Sequence, residues 1–364
     1  MQQYQDIMFK RSTITSILFV VLLMLTASPA MAAKIKVNST ADVIADDGYC
    51  TLREAVIAAN TDAESGFMYG ECPAGLGADE IVLKNGVYIL AITGLNEDNA
   101  QTGDLDILDD LTITGKGANE TIIDGNFIDR VFHVMNNVNV KFNGIHIQNG
   151  FVSNYDGGGV YNSGILKIIQ SEISDNMASG SGLTYGGGIY NDGTMKISGS
   201  KVYNNKASST DSLSVGGGIS NFGTMKISGS KVYDNEASST NSLSIGGGIS
   251  NDRFSAMIIK RSIISGNTTS STVSTAYGGG IYNAGTITMT ESKIKGNIAD
   301  GNYMTFGGGI FNDMSGTIDV KGTSRISGNT ADEGGGVYNI QPGIFNKSKR
   351  TRIKNNSLDD SWGI

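Results

Sequence analysis

The sequence predicts an all-β parallel β-helix, a solenoid of stacked coils, on three observations. First, a Gly-Gly-Gly triplet followed by an aliphatic residue, one variable residue and Asn recurs at Gly157, Gly186, Gly216, Gly246, Gly278, Gly307 and Gly334. The starts lie 29, 30, 30, 32, 29 and 27 residues apart, and self-similarity at such a period marks stacked supersecondary units. Second, each repeat holds three short strand-like pieces, none long enough for a helix. In the copy opening at Gly186 these are 188–191, 195–198 and 201–203, parted by Asp192-Gly193 and Gly199-Ser200, which are turn chemistry. Third, another Asn stands 19 residues after the first Gly at Asn176, Asn205, Asn235 and Asn297, and slightly later at Asn267 and Asn329. One fixed coil followed by one variable polar loop, such as 207–214, explains that interval better than an array of hairpins.

Stacking aligns the repeats into columns. Val160, Ile189, Ile219, Ile249, Ile281, Ile310 and Val337 fall on one another and form the interior, together with Ile197 and Ile227. Two Asn columns mark bends: Asn162, Asn191, Asn221, Asn251, Asn283, Asn312 and Asn339, and a second running from Asn176 to Asn355. Asn accepts unusual backbone angles, and its amide can bond to the coils above and below. The Gly triplet removes side chains from one corner, for a tight turn or a close backbone approach. Counting less regular coils from Ile81 onward gives about ten.

The ends divide the chain into a signal peptide (1–32), an N-terminal cap (33–80), the β-helix (81–355) and a C-terminal tail (356–364). Lys10 and Arg11 precede the apolar run 17–25, and Ala30-Met31-Ala32 is a small-residue cleavage site; initiation at Met8 would give a more ordinary leader than Met1. The mature chain is expected to have no transmembrane segment and to be secreted or held at the cell surface, with the periplasm or outer-membrane association as alternatives. A net charge of −8 argues against a nucleic-acid partner. Cys50 and Cys72 are the two cysteines. Oxidising conditions outside the cell favour a disulfide between them, two separate thiols being the alternative.

Ahead of the repeats, residues 50–60 read CTLREAVIAAN, which combines a Thr51 N-cap with Glu54 three residues later and an apolar helical pattern. A solenoid must cover its open first coil, and an apolar-faced helix pinned by Cys50 and Cys72 would do so. This segment resembles the CSLREA motif of exported bacterial β-helix proteins, with Thr51 in place of Ser. The segments GDLDILDDLTITGKG (103–117) and TIIDG (121–125) resemble the strands that follow that motif. The triplets are similar to repeats of polymorphic outer-membrane proteins, with Ile or Val replacing Phe in the Phe-x-x-Asn partner, as in Ile264 to Asn267. The resemblance covers nearly the whole mature chain. It implies a right-handed, pectin-lyase-like parallel β-helix and an adhesin-like or envelope role through side faces and variable loops. Members of the outer-membrane group continue into a β-barrel, for which the residues after 355 leave no room, so surface attachment is expected to rest on something else.

Because β-helices of this kind also cleave acidic polysaccharides, a lyase or hydrolase is the alternative function. Fragments similar to polygalacturonase motifs occur as Asn60-Thr61-Asp62, Asp109-Asp110 and Arg352-Ile353-Lys354, but they are scattered along the chain. His133 and His146 read as structural. Asp104, Asp106, Asp109 and Asp110 are the densest carboxylates; they read as solvated turn residues, with a Ca²⁺ site as the alternative, and no cofactor is expected. For binding, Tyr161, Tyr190, Tyr282, Phe311 and Tyr338 share one repeat position opposite the interior, interrupted by Ser220 and Ser250. Exposed, such an aromatic ladder could stack on an extracellular glycan or a surface protein; packed, its members would stack on one another or under the loops. Lys201, Lys231, Lys293 and Arg325 form a basic column headed by Glu172, read as a solvated face rather than an anion track.

Overall fold

The computed structural model describes residues 32–95 and 97–364; the leader expected at 1–32 lies, but for its last residue, outside the described residues. The chain winds as an all-β parallel solenoid of about nine turns, the right-handed parallel β-helix expected. Each regular coil contributes to three long parallel sheets. Sheet I has ten strands from Leu105–Ile107 to Ser361–Trp362, sheet II eleven from Lys34–Lys36 to Ile344–Lys347, and sheet III ten from Gly86–Ile89 to Arg352–Ile353. The residues expected to belong to the cap and the tail therefore also carry rungs: Ile35 pairs with Ile81, and Tyr338 with Trp362.

The register stacks like on like. Ile189 pairs with Ile219 and then Ile249, and Met195 with Met225 and then Met257, all buried. Each buried Ile or Met contributes roughly 1.5–3 kcal/mol, and none can do so without the coil beside it. Alternation turns Thr194 and Lys196 out to solvent from the strand that buries Met195 and Ile197.

The stretch expected as a variable polar loop is ordered instead. In the coil of Gly186 it holds strands Lys206–Ser209 and Ser214–Val215, which join a six-stranded sheet IV and a four-stranded sheet V. Hydroxyls make this polar segment packable. Ser209, Ser239 and Ser271 are buried and donate to the carbonyls of Gly182, Ser212 and Ser242 at 2.7, 2.8 and 2.7 Å, so few backbone acceptors there need water.

Both Asn columns are buried hydrogen-bond ladders. In the first, Asn162 Nδ2 donates to Asn191 Oδ1 at 2.6 Å, and the pattern repeats rung by rung to Asn312 and Asn339 at 2.6 Å. Asn162 Oδ1 is left without a donor because Val134 occupies the rung before it. In the second ladder each Asn amide also serves the backbone: Asn235 Oδ1 accepts from Asn205 N at 3.0 Å and Asn205 Nδ2 at 2.9 Å. This ladder ends at Asn356, which accepts from Asn329 Nδ2 at 2.9 Å, rather than at the expected Asn355. The reason lies one residue upstream of each ladder Asn, where the left-handed angle falls: Asp175, Asn204, Asp234 and Asn355 have φ of 58°, 54°, 54° and 59°.

The three glycines of a triplet meet different demands. The first, Gly216, has φ of 64°; a Cβ on the second, Gly217, would overlap the Glu236 carbonyl of its own coil; on the third, Gly218, it would lie 2.9 Å from the Asn235 amide. The triplet is thus the corner where two limbs of the coil approach backbone to backbone.

The cap is built by the sequence 50–60. Helix α1, Leu52–Thr61, opens with a capping box in which Thr51 Oγ1 accepts from Glu54 N and Glu54 Oε2 accepts from Thr51 N at 2.9 Å. Leu52, Ala55, Val56, Ala58 and Ala59 are buried in the solenoid core. Cys50 and Cys72 form the expected disulfide. No helix among the described residues is long and apolar enough to cross a membrane.

Candidate functional site

Beside the cap, on the outward side of sheet I, two adjoining clefts share a wall. The larger, about 400 Å³, is lined by Arg130, His133, Met135, Asn136, Tyr155, Asp156, Tyr161 and Ser163. The smaller, about 260 Å³, is lined by Leu95, Glu97, Asp98, Asp104, Asp129, Arg130 and Tyr155. Arg130 and Tyr155 belong to both.

The β-helix register assembles this site. Asp106, His133 and Tyr161 occupy one outward column on three successive rungs, and Tyr190 continues it. Segment 91–104, which joins sheets III and I, supplies Asp98 and Asp104. It is held from below by Arg53 of α1, whose guanidinium donates to Ala100 O at 3.0 Å and Gly103 O at 2.8 Å.

Charges in the site are mostly paired. Asp106 is fully buried and accepts from Ala100 N at 2.9 Å; its other oxygen lies 3.2 Å from His133 Nδ1. The His133 ring meets Tyr161 edge-on at 5.1 Å. Arg130 pairs with Asp104, donates from Nη1 to Asp156 O at 3.1 Å and lies 5.4 Å from the Tyr161 ring centre, a cation–π geometry. Burial pushes Asp104 up to about 6, against the opposing pull of Arg130 and helped by the negative charges of Asp106 and Asp129. Burial likewise pushes Asp156 up to about 6, opposed by its hydrogen bond from Tyr185 N, and raises Asp129.

The four carboxylates weighed for Ca²⁺ do not converge. Asp104 and Asp106 stand in the site, buried rather than solvated as expected, whereas Asp110 caps the next strand by accepting from Asn139 N at 2.6 Å and Asp109 is half-buried. The ligand atoms that do come together are those of Asp98, Asp106 and His133, all within 4.8 Å of one another, an N/O set able to hold a metal ion.

The aromatic column is not an exposed ladder. Tyr161 and Tyr190 stack at 4.7 Å, and Tyr185 and Phe222 close over Tyr190. After Ser220 and Ser250, which are buried, a second stack runs Tyr282, Phe311, Tyr338 and Trp362 at 5.5, 5.6 and 4.5 Å. Phe311 is buried beneath Tyr277. The strands of sheet V and the stretch around Phe306 provide this covering, and Tyr161 at the head of the column lines the larger cleft.

His146 is the structural histidine expected, its Nε2 2.8 Å from Ser174 Oγ and its pKa lowered by burial. His133 instead faces the cleft. Sequence reasoning also passed over Asp98, Asp129, Arg130, Tyr155 and Asp156. The available signal was that Phe132-His133-Val134 has the aliphatic-or-aromatic, variable, aliphatic pattern of a coil with no triplet before it, which extends the Tyr161 column one rung upstream.

Comparison with family models, with curated proteins and with solved structures finds no match to the chain.

Proposed function

We propose that the protein is an exported, cell-surface β-helix of adhesin-like type that binds a glycan in the Arg130–Tyr161 cleft. The observation that carries this is the wall of the larger cleft, where the rings of Tyr155 and Tyr161 stand among Arg130, His133 and Asp156. A sugar offers an apolar ring face and a rim of hydroxyls, and such a wall meets both, by stacking and by directed hydrogen bonds. Export and surface placement rest on the leader pattern, on the disulfide of a kind formed outside the reducing cytosol, and on the resemblance to exported CSLREA-motif proteins and polymorphic outer-membrane repeats. The test is glycan-array binding, repeated with Tyr161→Ala.

A second reading, a lyase or hydrolase acting on acidic polysaccharide laid across the two adjoining clefts, with Asp156 in the larger and Asp104 in the smaller, is favoured by one observation. Asp104 and Asp156, both pushed up to about 6, are poised between protonated and ionised near neutral pH, as acid–base catalysis requires. Release of reducing ends or unsaturated products, with or without Ca²⁺, would replace the binding reading with this one; bound glycan recovered intact would retire it.

A further inference from the structure

A groove at the opposite end of the solenoid is built from cations. Lys293, Arg325 and Arg352 occupy one outward column of sheet III on three successive rungs, so three positive charges project side by side at a spacing of about 4.8 Å. The turn before the last rung adds Lys349 and Arg350. These five, with Thr323 and Ser324, line a groove of about 500 Å³.

No carboxylate lines this groove, and among the described residues none of its five cations makes an ion pair. Like charges directly opposite one another weaken a sheet. Earlier in the same column the charge is balanced, with Lys201 Nζ 2.6 Å from Glu172 Oε1. At the far end it is left uncompensated, although the chain as a whole carries −8 and has carboxylates to spare. Three of the five cations are arginines, whose planar forks grip phosphate or carboxylate oxygens two at a time.

We propose that this groove is a phosphate site that takes a ligand bearing at least two phosphate groups. Charge decides for phosphate over carboxylate: a phosphate monoester carries about −1.5 to −2 at neutral pH, so two of them match five cations within one groove, where single carboxylates would fall short. The site is separate from the Arg130–Tyr161 cleft and stands or falls independently of it.

The test uses inorganic tripolyphosphate as probe, titrated calorimetrically into the whole protein, with an oligogalacturonate of equal charge and a short DNA duplex as comparisons. The expected result is saturable one-site binding of tripolyphosphate, weakened about tenfold by Arg325→Gln and by Arg352→Gln. Arg325→Lys, which keeps the charge and loses the fork, should fall between. All five side chains are exposed, so unchanged melting of the variants keeps the comparison valid. A vesicle arm, phosphatidylcholine with and without phosphatidic acid, identifies the source. Co-sedimentation that tripolyphosphate competes away assigns the phosphates to a lipid headgroup, and its absence beside tripolyphosphate binding assigns them to a soluble phosphoester. No binding, binding indifferent to both Arg→Gln variants, or equal affinity for oligogalacturonate or DNA would overturn the proposal.

Discussion

Arg53 and Asp42 form a two-pronged ion pair closed off from solvent, Nε to Oδ1 at 2.6 Å and Nη2 to Oδ2 at 3.1 Å. Asp42 also accepts from the amides of Ala91 and Ile92 at 2.7 and 3.0 Å. The pair thereby joins the capping helix to segment 91–104, the segment that supplies Asp98 and Asp104 to the cleft. The Arg and Glu of the CTLREA sequence are structural residues here, one clamping a loop and the other closing a capping box.

Removing one partner strands a buried charge. Arg53→Met is expected to destabilise the protein by about 3–5 kcal/mol and to expose segment 91–104 to protease before the repeats are cut. Chemical denaturation and limited proteolysis measure the two effects.

The glycines separate two causes of intolerance. Gly217→Ala would drive a Cβ into the Glu236 carbonyl and is expected to cost several kcal/mol or prevent folding. Gly229→Ala, where φ is 57° but no atom lies within 4 Å, should cost only about 1 kcal/mol. Gln170, Arg261 and Glu291 already hold the same turn position at φ of 47°, 47° and 51°. Equal melting temperatures for the two variants would refute the close-approach account.

Within the second Asn ladder, position decides cost. Asn235→Ala breaks bonds to Asn205, Asn267 and the Val202 and Tyr233 carbonyls and leaves buried donors and acceptors unpaired, for a loss of about 2–3 kcal/mol or more. Asn356→Ala, at the ladder's partly exposed end, should cost less than half as much.

Burial makes Asp156 a pH-dependent element. Its carboxyl is raised to about 6, so between about pH 4 and 6 the native state keeps a proton that the unfolded chain releases. Its contribution to stability is therefore greatest below that window and falls as pH rises through it. Asp156→Asn, which can still accept from Tyr185 N, should gain stability relative to the parent as pH goes from 4 to 7; a difference that stays constant would contradict the assignment.

The fold was legible because each coil repeats one chemical sentence, so the Gly triplets and Asn columns reveal their period without any structure. Ser209 and Ser239 were harder to read, since a polar Ser/Thr run signals a loop unless their hydroxyls are known to satisfy buried carbonyls. The same covering strands explain Phe311: alternation placed its ring outward, but outward became inward once sheet V lay over it. The cleft was least legible, because Asp98, Arg130 and Asp156 come from irregular segments and His133 from a strand with no Gly triplet before it. What aligns them is the pairing of Asp106 with His133 and of His133 with Tyr161, a register that the motif spacing alone does not display.

Tyr161 lines the larger cleft, whereas Tyr338 lies in the stack between Phe311 and Trp362, so the proposed glycan contact depends on the first ring and not the second. Glycan binding by the parent protein, Tyr161→Ala and Tyr338→Ala, measured on one array, tests it most directly. The account predicts at least about a tenfold loss for Tyr161→Ala, in keeping with a lost stacking contact, and unchanged binding for Tyr338→Ala. Equal losses for both, or binding untouched by Tyr161→Ala, would contradict it.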